Sequence, residues 1–204
     1  FPAQAEAAAR PVFEDFHLEV ADGEVCALVG PSGTGKTTLL QIVAGLDRDF
    51  TGEVGGRPEP LGYSFQTLRL LPWRTARQNL ELVLPDRRQE AAAWLDRVGL
   101  SESAEVYPQR LSLGMAHRVA LARALAVAPK LLLPDEPFAA LDESTAEAMQ
   151  QLVSNELTRL RPTTLLVTHQ WSEAVALSDR IVTLAGSPAR IVRDHRVSRA
   201  RAAE

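Results

Sequence analysis

The chain has 204 residues, of which 46% are hydrophobic and 24% charged, with a formal net charge of -4 at pH 7. That length suits one compact unit with room for an inserted lobe, and that apolar fraction can offset the conformational entropy of ordering the chain, so many domains and wholesale disorder are both excluded. The slight negative charge sets up no overall field for nucleic acid or anionic lipid, so binding of either would have to be local.

In chain order, the Ala-rich stretch Ala3 to Arg10 reads equally as a short helix or a frayed tail. The start Phe1-Pro2-Ala3-Gln4 lacks the basic-then-apolar layout of a signal peptide, and the missing Met points to trimming or an absent beginning. Phe16, Leu18 and Val20 alternate with Asp15, His17 and Glu19, the pattern of a strand with one wet face in a peripheral antiparallel position. Val25 to Val29, Leu131 to Leu133 and Leu165 to Val167 are continuous apolar runs, as expected of strands buried on both faces of a mixed sheet. Cys26, the sole cysteine, lies in the first run, which predicts a buried, reduced thiol, excludes an intramolecular disulfide and points to a cytosolic setting.

After Gly35 a helix is expected to about Ala44, closed by Gly45. Ala91, Trp94, Leu95 and Val98 recur at helical spacing with Gly99 as the stop, and Met149, Leu152, Val153, Leu157 and Leu160 form a second stripe ended by Pro162. Residues 68–128 carry helix signal without a convincing strand, so they read as a helical lobe set into an α/β core of residues 1–67 and 129–204. No run approaches the roughly 18 to 20 apolar residues of a membrane span, so the chain is expected neither to span a bilayer nor to be secreted.

The run Val25 to Val29 leads straight into Gly30-Pro31-Ser32-Gly33-Thr34-Gly35-Lys36-Thr37, the P-loop pattern in its strand-to-helix setting. Glycines let the backbone fold round an anion, and the following helix turns the positive end of its dipole to the same place. The phosphate-binding set is therefore Gly30, Pro31, Ser32, Gly33, Thr34, Gly35, Lys36, Thr37 and Thr38, with Lys36 on the β and γ phosphates and the Thr37 hydroxyl on Mg²⁺. Leu131-Leu132-Leu133-Pro134-Asp135-Glu136 is a buried strand ending in adjacent carboxylates, expensive to bury without a cation or hydrogen-bond partners. Because neighbours leaving a strand face opposite sides, Asp135 reads as a metal-shell ligand and Glu136 as the base on the attacking water.

With these elements in place, Leu111-Ser112-Leu113-Gly114-Met115 resembles the signature motif of ATP-binding cassette ATPases. Gln66 resembles that family's Q-loop glutamine, Ala140-Leu141-Asp142 its D-loop, and Thr168-His169 its switch histidine, in matching order over almost the whole chain. The resemblance implies an α/β P-loop NTPase with a RecA-like mixed sheet flanked by helices, an inserted helical subdomain and a peripheral antiparallel β-part. It implies ATP and Mg²⁺ as cofactors, and two copies sandwiching two ATP molecules, with Ser112 and Gly114 facing the other copy's γ-phosphate. Gln66 then senses Mg²⁺ or the water, which gives a metal set of Thr37, Gln66 and Asp135; His169 hydrogen-bonds the γ-phosphate, and Asp142 links the two sites. Ser112 also caps the helix that follows it.

The segment Phe65 to Trp73 is unusually apolar beside a catalytic loop. It reads equally as an exposed groove for a partner or as the hydrophobic entry to the helical lobe. It resembles the region of importer cassettes that docks a transmembrane permease, which would hold the chain on the inner face of the cell membrane and link it indirectly to a solute-binding protein. Leu71-Pro72-Trp73-Arg74-Thr75, with Leu177 to Val182 and Gly186 to Val192, resembles the nitrate, sulfonate and taurine importer branch.

Three features depart from the family pattern. Leu113 stands where the family usually has Gly, which suggests a slower enzyme. Pro134 removes a backbone donor near a central strand's end. Ala5 to Ala9 occupy the region that normally carries an adenine-stacking aromatic, for which Phe1 and Phe13 are poor substitutes, so looser nucleotide binding or a truncated chain is expected. A GTPase lacks support because no Asn-Lys-x-Asp is present, and a small-molecule kinase would not explain Leu111 to Gly114 or His169. A regulatory cassette with slow or lost turnover stays open as the alternative, as does a cassette working outside transport.

Overall fold

The computed structural model describes residues 11–197. The first apolar run forms β1 (Val25–Val29), and its pleat sends alternate side chains to opposite faces. Val25, Ala27 and Val29 join one hydrophobic core, whereas Cys26 and Leu28 join another. The strand is buried along its whole length, which is why it carries no polar residue. The Cys26 thiol, fully buried, has its pKa pushed up to about 12 by desolvation.

After β1 come α1 (Lys36–Val43), β2 (Leu61–Ser64), α2 (Ala76–Glu81), α3 (Glu90–Arg97) and α4 (Leu113–Ala126). The chain continues with β3 (Leu131–Pro134), α5 (Glu143–Leu160), β4 (Thr163–Val167), α6 (Trp171–Leu177), β5 (Arg180–Gly186) and β6 (Ala189–Arg196). The strands lie in the order β2-β3-β4-β1-β5-β6; all neighbours pair parallel except β5 and β6, which are antiparallel. Helices cover both faces: Leu39 and Leu40 of α1 pack on the core that holds Cys26, and residues of α4, α5 and α6 pack on the core that holds Val25. Among the described residues no helix is long and apolar enough to cross a membrane.

The expected strand over Phe16 to Val20 does not form. Those residues run without regular structure, and Phe16, Leu18 and Val20 instead lie against the Cys26-side core. The antiparallel pairing at the periphery is made by β6 on β5. Alternation alone reports a side that is buried; it does not supply the neighbouring backbone a strand needs. The Ala-rich start and its missing aromatic lie outside the described residues.

Pro134 sits where its missing N–H costs little. Pairing of β3 with β4 covers Leu131 and Leu132 and resumes only as an isolated bridge between Asp135 and Val167, so the proline falls in the gap. Between β2 and β3 the described chain is helical. At Gly62 an added Cβ would lie 2.2 Å from the Ala124 carbonyl oxygen, so the glycine lets α4 press against β2. The buried Glu156 carboxylate on α5 is clamped by Arg159 of the same helix and by Arg97 of α3, which ties α3 to α5.

The loop between β2 and α2 is braced from within. Asn79 of α2, fully buried, accepts from the Leu71 amide at 2.8 Å and donates to the carbonyls of Leu71, Arg74 and Thr75 at 3.0 to 3.2 Å. Arg123 of α4 donates to the Arg69 and Leu68 carbonyls at 2.9 and 3.1 Å. Asn79→Ala leaves several buried backbone groups unpaired and is expected to destabilise the fold by about 2–4 kcal/mol. Urea unfolding checks this: the midpoint falls at an unchanged slope, and a midpoint equal to the parent's would show that the brace carries no stability.

Candidate functional site

Because β1, β2, β3 and β4 are parallel, their C-terminal ends open on one edge of the sheet, where such folds place ligands. That edge gathers the segments singled out in the sequence: the glycine turn after β1, Gln66 after β2, Asp135 and Glu136 after β3, and His169 after β4.

The turn begins pressed against β5, since a Cβ at Gly30 would lie 2.4 Å from the Leu184 carbonyl oxygen. Pro31, Ser32 and Gly33 are exposed at its crest, whereas Thr34 is buried and donates its hydroxyl to the Pro31 carbonyl at 2.8 Å. Gly35 takes a left-handed φ of 84° and starts α1 without any side-chain cap, so the first amides of Lys36, Thr37 and Thr38 face the turn with no capping side chain. Lys36, 7% exposed, bends back to donate to the Gly30 and Pro31 carbonyls, 2.8 Å each. Burial lowers its pKa, and the negative charges of Glu136 and Asp135 partly oppose that.

Asp135 is 1% exposed, and neither carboxylate oxygen has a hydrogen-bond partner of good geometry. Burial raises its pKa; the Thr37 side chain, the strongest opposing influence, favours the charged form. Glu136 is placed by something other than strand alternation. Its φ is +50°, so the chain leaves β3 through a left-handed residue that is not glycine, while its amide donates to the Val167 carbonyl at 2.9 Å. This turn brings Glu136 Oε2 to 3.5 Å from Nδ1 of His169, whose side chain is 57% exposed.

Gln66 is exposed two residues beyond β2, with Tyr63 and Phe65 stacked beside it at 3.8 Å between centroids. Ser112 caps α4 by accepting from the Met115 amide at 3.2 Å, and the neighbouring Leu113 is 61% exposed. A Cβ at Gly114 would lie 3.2 Å from the Ala140 carbonyl oxygen, so the start of α4 abuts the loop before α5. Asp142 caps α5, accepting from the Ser144 hydroxyl and the Thr145 amide at 2.7 and 3.0 Å, and these bonds hold its pKa down at about 2.

The apolar segment is divided between core and surface. Leu70 packs against the core, whereas Trp73 is 68% exposed. Sequence reasoning missed Asn79 and Arg123, which fix this segment; the available signal was a polar side chain on an otherwise apolar helix face. Phe13 also lies at this edge. This ring packs beside the phosphate turn, its Cζ 2.9 Å from where a Cβ at Gly35 would stand, and Val12 is closer still.

The model of the ABC transporter family matches residues 13–139. A relative from Cupriavidus pinatubonensis, named as an aliphatic sulfonates import ATP-binding protein, SsuB, is 47% identical over 197 residues, covering 93% of this chain and 65% of its own length. One from Paracoccus denitrificans, named as the aliphatic sulfonates import ATP-binding protein SsuB 1, is 47% identical over 193 residues, covering 93% of this chain and 78% of its own. The chain thus spans about two thirds to four fifths of these relatives. Among solved structures, the dimeric ATP-binding cassette MJ0796 in a post-hydrolysis state bound to ADP and Pi superposes with a TM-score of 0.82 at 30% identity, covering 91% of this chain and 90% of that one. A P-loop opening at the edge where parallel strands end, a buried aspartate beside it, a serine-capped helix after the helical stretch that follows β2, and relatives of this similarity place the chain in the ABC transporter family of ATP-binding cassettes.

Proposed function

We propose that this chain is the ATP-hydrolysing, nucleotide-binding subunit of an importer, closing as two copies around two ATP molecules to drive a separate membrane permease for a sulfonate-like solute. The observation that carries the reading is Asp135: a carboxylate sealed from water, both oxygens unpaired, facing the Thr37 hydroxyl and the Lys36 ammonium of a phosphate turn. A buried charge of that kind calls for a cation. The hard oxygens of Asp135 and Thr37, with Gln66 exposed at the same edge, suit Mg²⁺. Bound with ATP, Mg²⁺ would neutralise charge on the β and γ phosphates.

The chain's own groups do the rest. The α1 amides and Lys36 receive the phosphates, with Lys36 giving up its contacts to Gly30 and Pro31. Glu136 holds the attacking water and takes its proton, and His169, within reach of Glu136, hydrogen-bonds the γ-phosphate. Ser112 and Gly114 at the start of α4 face the γ-phosphate of the second copy. Asp142, beside them through the Ala140 contact, links the two sites. The names of the relatives support a sulfonate-like solute, and the dimeric cassette supports the paired arrangement. The exposed Trp73, on a loop fixed by Asn79 and Arg123, is the surface offered to the permease. In that assembly the chain sits on the cytoplasmic face of the membrane, and an extracytoplasmic solute-binding protein completes it. A second reading, a regulatory cassette with slow turnover, rests on the exposed bulk of Leu113 at the signature; the adjacent Asp135 and Glu136 favour hydrolysis.

Glu136→Gln is expected to keep ATP affinity, trap a dimer visible by light scattering and lower steady-state hydrolysis by roughly 10²- to 10⁴-fold. Undiminished hydrolysis in that variant would remove Glu136 from the role of base. Lys36→Ala, which deletes a charged donor, is expected to weaken ATP binding by roughly ten- to a hundredfold. Calorimetric titration checks it, and an unchanged dissociation constant would count against the cradle.

A further inference from the structure

Beneath His169 lies a buried carboxylate with no part in the reaction outlined above. Glu173, in the first turn of α6, is 3% exposed. Its Oε2 accepts the hydroxyl proton of Thr168, itself 1% exposed, at 2.5 Å. The same Thr168 hydroxyl oxygen accepts from the Gln170 amide at 3.0 Å. Thr168 and Gln170 flank His169 in the chain, so one hydroxyl fixes both neighbours of the histidine, and Glu173 fixes the hydroxyl. The Thr168 amide in turn donates to the Leu28 carbonyl at 3.3 Å, which joins the turn to the strand that feeds the P-loop.

A buried carboxylate is a costly way to hold a loop. A capping side chain could end β4 and start α6 more cheaply, yet the Gln170 side chain makes no cap bond at the start of α6. The acidic group is also within electrostatic reach of the site: the charges of His169 and Glu136 both bear on it, while desolvation is the largest influence on its pKa and raises it. Thr168 is threaded between the carboxylate and the Gln170 amide, which leaves the exposed His169 imidazole with a fixed base and its Nδ1 3.5 Å from Glu136 Oε2.

We propose that Glu173 is a positioning residue for His169: through the Thr168 hydroxyl it holds the turn after β4 so that the imidazole points to Glu136 and the phosphate edge. The proposal builds on the reading of His169 as the γ-phosphate contact, but the position of the ring can be followed without nucleotide. Imidazole NMR signals of the free protein, with the His169 peak assigned by its loss in His169→Ala, report that position. Glu173→Gln keeps an oxygen able to accept from Thr168, so it is expected to leave the His169 signal in place and kcat within about twofold of the parent. Glu173→Ala is expected to shift or broaden that signal and to lower kcat at least tenfold with KM little changed, the signature of an interaction realised in the transition state.

Thr168→Val removes the hydroxyl at nearly constant shape and is expected to reproduce the alanine effect on the His169 signal, which keeps the test decisive should Glu173→Ala fail to fold. An unmoved His169 signal in Thr168→Val overturns the proposal. So does a folded glutamine variant as impaired as the alanine one, because charge rather than the hydrogen bond would then be at work. A parent protein that hydrolyses no ATP overturns the proposed function instead, and the NMR comparison still decides the role of Glu173.

Discussion

Everything at the sheet edge depends on one unfavourable placement: a carboxylate, Asp135, shut away from water at the end of β3 with no hydrogen-bond partner for either oxygen. Left alone, such a group would favour its neutral form or destabilise the fold. Parallel pairing of β3 with β2 and its neighbours keeps it there, with its amide donating to the Ser64 carbonyl at 2.8 Å and its residue bridged to Val167. Thr37 and Lys36 are brought against it from the turn after β1. The fold thus maintains a buried carboxyl group next to a preorganised set of donors, and in the proposed reaction a nucleotide with its metal would satisfy both at once.

The segment that follows carries strain of its own. Glu136 and Ala140 both have positive φ, at 50° and 68°, in the stretch joining β3 to α5. Backbone of this kind persists only where its surroundings over-determine it. Here the Glu136 amide is held by Val167, Phe138 is 2% exposed, and Gly114 of α4 abuts Ala140. In the proposed reaction the same stretch carries the base at one end and Asp142 at the other. Movement at the start of α4, where a second copy would contribute, therefore bears directly on the loop that positions Glu136. Arg123 and Asn79 hold the loop that carries Trp73, between β2 and α2.

The buried strands β1, β3 and β4 were legible because a strand covered on both faces leaves an uninterrupted apolar run, and α1, α3 and α5 because stripe and stop residues agreed. The glycine turn was legible because its spacing and setting reinforce each other. Strand β2 was not, since Leu61-Gly62-Tyr63-Ser64 is short and its Gly62 serves the close approach of α4, a tertiary demand with no local signature. The alternation over Phe16 to Val20 misled for the converse reason: burial against the core was real, but among the described residues no strand pairs with that segment. The left-handed turn at Glu136 and the bonds of Arg123 depend on groups distant in sequence, whereas Asn79 and Glu173 bond to near neighbours in a way that apolar spacing does not record.

In the proposed reaction the Asp135 edge and the glycine turn act as one site for a magnesium nucleotide. Calorimetric titration of the purified chain with a non-hydrolysable ATP analogue, in Mg²⁺ and again in excess chelator, tests it most directly. Saturable binding that weakens at least tenfold when the metal is withdrawn is the predicted result; absence of binding, or an affinity indifferent to the metal, would contradict it.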